Sequence, residues 1–185
     1  MALQRFEGTS FVDAGLSRRV MSLGGLVVAK TGLSVGTDAS TNETVLFTSN
    51  LPSKLLNNNG KGLHILAVVS VAANANTKDV RVRMGSLTGT ILADTGAVGA
   101  NNKAYFMEVW IIRTGASSQD VFCASKVSTT VITGFVQTTV NSSSGIQFVV
   151  TGQNGTASAN DAVLRAVWVD LITEGGVATA GGVLQ

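Results

Sequence analysis

From Glu43 onward the chain is a succession of short apolar runs rich in Val, Ile, Phe, Thr and Trp, closed by Gly or Asn clusters at intervals of roughly 8–15 residues. Punctuation this frequent leaves room for strands but not for helices, which need about ten or more residues of 3.6-residue periodicity and caps. The runs are Thr44–Ser49, Leu63–Ala72, Asp79–Gly85, Thr90–Ala93, Ala104–Thr114, Asp120–Lys126, Thr130–Thr138, Ile146–Thr151 and Ala162–Thr173. Between them lie Asn57-Asn58-Asn59-Gly60, Asn74-Ala75-Asn76 and the stretches 96–102, 114–118, 141–145 and 152–160. Asn and Gly tolerate positive φ, so these read as turns on a β framework.

Alternation gives some strands two distinct faces. In 79–84, Val80, Val82 and Met84 share one side, and Asp79, Arg81 and Arg83 the other. The first side belongs to a core and the second to water or an intersubunit face. Residues 63–73 and 163–172 are apolar almost throughout, as in strands covered on both faces, either between sheets or under a neighbouring subunit. Eight or so antiparallel strands in about 130 residues predict an all-β, two-sheet antiparallel sandwich with jelly-roll-like or Greek-key connections. An immunoglobulin-like sandwich is the alternative, without the Cys…Trp…Cys spacing of antibody domains.

Residues 1–43 have little strand pattern beyond 26–29 and read as an extended N-terminal arm with one short strand. Residues 44–173 form the sandwich, and 174–185 a Gly/Ala-rich C-terminal tail.

Composition supports folding and self-association. The 185 residues carry a net charge of +2, with 45% hydrophobic and only 13% charged residues. Low charge with a mean hydropathy of +0.34 predicts a surface covered by copies of the same chain. The basic residues are spread thinly, and the four in the arm are opposed by Glu7, Asp13, Asp38 and Glu43, so nucleic acid is not the expected partner. A coat protein that packages RNA would want a densely basic arm. No apolar run approaches the ~20 residues of a membrane-spanning helix. A single cysteine, Cys123, allows no internal disulfide, and the N-terminus lacks a secretion-signal layout.

The inventory for catalysis is poor. His64 is the only histidine, and nothing in its spacing suggests a metal site, so it reads as a packed or edge histidine. Cys123 has no helix start to lower its thiol pKa and reads as a small buried apolar residue. Glu108 and Asp170 could face one another across a cleft, but a strand face paired with arginine is the plainer account. Trp110 and Trp168 sit inside long strands and are expected in the core. Gly85-Ser-Leu-Thr-Gly89 and Gly96-Ala-Val-Gly99 lack the Lys and following helix of a phosphate loop and are turns. Neither catalytic residues nor a cofactor or metal are expected.

Three blocks carry a resemblance: Asn74-Ala-Asn-Thr-Lys-Asp-Val-Arg-Val-Arg-Met-Gly85, Glu108-Val-Trp-Ile-Ile-Arg-Thr-Gly115, and Val149-Val-Thr-Gly-Gln-Asn-Gly155 running into Asp161-Ala-Val-Leu-Arg-Ala-Val-Trp-Val-Asp-Leu171. Over residues 44–172 the chain resembles small β-sandwich structural proteins of tailed bacteriophages. The resemblance implies a jelly-roll-like virion domain, commonly a trimer, of capsid decoration (cement) or fibre type, and brings no catalytic residues.

The expected function is a non-enzymatic virion component, assembled in the bacterial host cytoplasm, that clamps neighbouring subunits such as the major capsid protein. The expected contacts are Arg5, Phe6, Phe11, Arg18 and Arg19 in the arm, with Arg81 and Arg83 on one strand face. The alternative is a tail or fibre component that binds host-surface glycan through Trp, Tyr105 and the Asn-rich loops.

Overall fold

The computed structural model describes residues 25–99, 101–127, 130–141 and 145–173. Among the described residues ten strands run in chain order: β1 (Gly25–Gly36), β2 (Glu43–Leu51), β3 (Gly62–Val71), β4 (Lys78–Met84), β5 (Thr90–Asp94), β6 (Ala104–Gly115), β7 (Ser118–Val127), β8 (Thr130–Thr138), β9 (Ile146–Asn154) and β10 (Ala162–Ile172). They form a six-stranded sheet, β1-β10-β3-β6-β7-β8, and a four-stranded sheet, β2-β9-β4-β5. Every pairing is antiparallel. The chain changes sheet repeatedly while β6, β7 and β8 follow one another as a meander, which makes a jelly-roll-like sandwich.

The core lies between the sheets and takes alternate residues of each strand. From the six-stranded sheet come Leu63, Ile65, Ala67 and Val69 of β3, and Tyr105, Met107, Val109 and Ile111 of β6. Val80, Val82 and Met84 of β4 meet them from the other sheet, on the side that their alternation predicts. The β4–β5 connection is the expected glycine turn. Gly85 has a φ of +96°, and a Cβ on Gly89 would stand 2.1 Å from the Met84 carbonyl oxygen, so both positions require glycine.

Two strands run three or more residues past one end of the expected run. The short strand expected at 26–29 is the twelve-residue β1, paired to β10 along its length with two irregularities of register. Its polar members, such as Lys30 and Ser34, hide it from a search for apolar runs. Strand β9 continues past Thr151 through Gly152, Gln153 and Asn154, because β2 pairs with it as far as Gln153 and β4 as far as Asn154.

Candidate functional site: the outer face of the six-stranded sheet

The face turned away from the core should be polar on a solvated sheet. On the six-stranded sheet it is not. Register aligns its outward residues in rows. One row runs Leu26, Asp170, His64, Trp110, Phe122, Phe135 from β1 to β8. The next runs Ala29, Trp168, Leu66, Glu108, Ala124, Thr133, and a third Thr31, Ala166, Val68, Phe106, Lys126, Val131. Trp110, Phe122 and Phe135 stand side by side on β6, β7 and β8, and Phe106 and Val131 stand two rows along on either side of Lys126; all five are between 39% and 58% exposed. Phe122 and Phe135 pack at 5.1 Å between ring centroids.

At the centre of the first row His64 lies between two carboxylates. Its Nε2 is 2.8 Å from Glu108 Oε1, and its Nδ1 is 3.8 Å from Asp170 Oδ2. The imidazole stacks on the Trp110 indole. The structure thus places His64 between Glu108 and Asp170, the two carboxylates that the sequence offers as a possible facing pair, and it corrects the expectation that they pair with arginine. Of the two readings of His64, packed or edge, the structure shows the packed one, stacked on Trp110 in a central strand, and Glu108 and Asp170 face this histidine rather than an arginine. Trp110 and Trp168 also differ from expectation: both belong to the outward rows, and the core position next to Trp110 is filled by Val109.

The residues named for the alternative site separate. Tyr105 is fully buried, its hydroxyl donating to the Val98 carbonyl at 3.3 Å, and burial with the nearby Asp79 charge pushes its pKa up to about 12. It is unavailable to a surface ligand. Cys123 packs against the core, where burial raises its thiol pKa, in keeping with its reading as a small apolar residue. Among the described residues no cluster of three His, Cys, Asp or Glu could hold a metal ion, and no helix is long and apolar enough to cross a membrane.

Arg81 and Arg83 stand on the outer face of the opposite, four-stranded sheet, at 16% and 11% side-chain exposure. Arg83 grips Glu43 through Nε and Nη2, both at 2.8 Å, and donates Nη1 to the Gly89 carbonyl. Arg81 pairs with Asp79, with Asp94 at 3.0 Å and with Glu43 at 3.1 Å, and donates Nη1 to Gln153. Burial works against the Glu43 charge, but the Arg83 and Thr151 hydrogen bonds and both guanidinium charges outweigh it and hold the pKa low. Asp79 goes the other way: burial, then the Asp94 carboxylate, push it up to about 7. A cavity of about 230 Å³ opens beside this network, lined by Asp79, Arg81, Gln153 and Asn154 among others. Arg5, Phe6, Phe11, Arg18 and Arg19 lie outside the described residues.

No protein-family model and no curated protein matches the chain. Solved structures share its sandwich arrangement loosely. Infectious bursal disease virus, Gx strain, aligns over 83% of this chain and 33% of its own, at 8% identity and a TM-score of 0.43. The lectin UEA-II complexed with galactose aligns over 80% and 91%, at 7% identity and 0.41. The CBM2 module of the evolved Dit of Lactobacillus casei BL23 phage J-1 aligns over 68% of each chain, at 12% identity and 0.32. This chain spans about a third of the bursal disease virus chain. Similarity at this level carries no argument about activity.

Proposed function

We propose that the chain is a non-enzymatic structural protein of a bacteriophage virion, a capsid decoration (cement) protein that stabilises the head through contacts between subunits. In this reading it is a homo-oligomer, a trimer, that docks on the major capsid protein or other virion subunits and binds neither nucleic acid nor membrane. It joins the virion during assembly in the host cytoplasm. The observation that carries the reading is the aromatic outer face of the six-stranded sheet. Exposed aromatic rows such as Trp110, Phe122 and Phe135 mark contact surfaces, and Phe and Trp anchors give most where another protein excludes water from them. Burial there contributes about 25 cal/mol per Å² of apolar area, against the entropy lost on association.

The arm residues Arg5, Phe6, Phe11, Arg18 and Arg19 are assigned to the same contacts. Arg81 and Arg83 already neutralise their own sheet, so their share in any contact is what their ion pairs leave open. The test is co-sedimentation of the purified full chain with empty phage heads, together with its mass in solution. An oligomer that pellets with heads is expected; a monomer that stays in the supernatant overturns the proposal.

One observation favours a second reading, a tail or fibre component that binds host-surface glycan. Trp110 offers a half-exposed ring beside His64, Glu108 and Asp170, and an aromatic plane flanked by hydrogen-bonding groups suits a sugar ring. Glycan-array binding that disappears in Trp110→Ala would establish it in place of the first.

A further inference from the structure

We propose that residues 1–24 of one copy lie across the outer face of the six-stranded sheet of a neighbouring copy. The inference rests on the reading above, that this face is a contact between subunits, and names what covers it.

The first support is where the segment joins the fold. Strand β1 starts at Gly25, and its second residue, Leu26, ends the row that passes through Asp170, His64, Trp110, Phe122 and Phe135. The 24 preceding residues can reach about 80 Å when extended, whereas six strands span only about 24 Å.

The second is charge. Asp120, Glu108 and Asp170 stand toward the end of the face that carries the His64 row, and the cations Lys126 and Arg165 toward the other. Residues 1–24 contain Arg5, Arg18 and Arg19 against Glu7 and Asp13, a surplus of one positive charge to set against the carboxylates. The third is apolar content. Leu3, Phe6, Phe11 and Leu16 supply side chains for a face whose own aromatics stand half exposed. An arm entering the next copy's face is a heterologous contact, which closes into a ring when three copies complete the rotation.

The test uses two full-length variants, Phe6→Asp/Phe11→Asp in the arm and Phe122→Asp/Phe135→Asp on the face, with circular dichroism to confirm that each is folded. Each alone is expected to be monomeric by native mass measurement. Mixed in equal amounts they are expected to form a one-to-one pair, because the face variant supplies an intact arm and the arm variant an intact face. If the arm variant keeps the parent's oligomer and only the face variant loses it, copies meet by another surface; the contact reading then stands and the arm assignment falls. If both singles are monomeric and the mixture forms no pair, the arm assignment falls too. If both variants keep the parent's mass, or the parent is itself a monomer, the arm assignment falls together with the contact reading.

Discussion

The imidazole of His64 stacks on the indole of Trp110, with ring centroids 4.0 Å apart and planes 21° from parallel. The stack lies on the outside of the sandwich, where Glu108 holds the histidine from one side and Asp170 approaches from the other. Replacing Trp110 by Ala removes the stack and should lower the stability of the fold by about 1 kcal/mol in urea unfolding. Glu108→Gln should change it by less than about 1 kcal/mol, because that carboxylate is well exposed.

The ion-pair network on the opposite sheet is more demanding. Arg81 is the common partner of Asp79, Asp94 and Glu43, and Arg81→Met leaves their charges facing one another. Removing one partner of a fully buried pair costs about 3–5 kcal/mol. Water at this sheet surface reduces the figure to about 2 kcal/mol, readable as a lower urea midpoint with unchanged slope.

The same network sets a pH dependence. Asp79 has its folded pKa raised from 3.8 to about 7 by burial and the neighbouring Asp94. Between those values the folded state holds a proton that the unfolded state has released, so this group's contribution is complete below pH 4 and is lost as pH rises through 7. Glu43 and Asp94 have lowered pKa values and act in the opposite sense, contributing above their unfolded pKa and failing only in acid. Asp79→Asn should therefore flatten the fall in stability between pH 5 and pH 8, measured as the difference in urea midpoints.

Inner and outer residues of the six-stranded sheet should respond differently to truncation. Ile65 is fully buried, paired between Val169 and Val109, and Ile65→Ala should cost about 2–5 kcal/mol. Phe122→Ala should cost the isolated fold less than about 1 kcal/mol, since half of that ring already faces solvent. Equal losses in the two variants, measured on monomer at high dilution, would contradict the assignment of faces.

The strands were legible because each apolar run ends in residues that cannot continue it: β8 occupies 130–138 as the pattern predicts, and β3 and β10 differ from theirs by a residue or so. The direction of the side chains was legible only where polar residues alternate, as in Asp79-Val-Arg-Val-Arg-Met. In β6 both faces are apolar, with Tyr105, Met107 and Val109 inward and Phe106 and Trp110 outward. Period-two patterning then vanishes, and no local rule says which set is the core. The continuously apolar text of 63–73 and 163–172 held the clue, since one face of those strands meets the core and the other belongs to the rows of the outer face. The meeting of His64 with Glu108 and Asp170 depends on the strand order β10-β3-β6, which is set by long-range pairing.

Hydroxyl-radical footprinting of the full chain, at a concentration where it is assembled, reads the covering of the outer face directly. The account predicts that Phe106, Trp110, Phe122 and Phe135 are protected, and become reactive when the assembly is diluted apart. Reaction at the rate of freely exposed rings, unchanged by dilution, would contradict it.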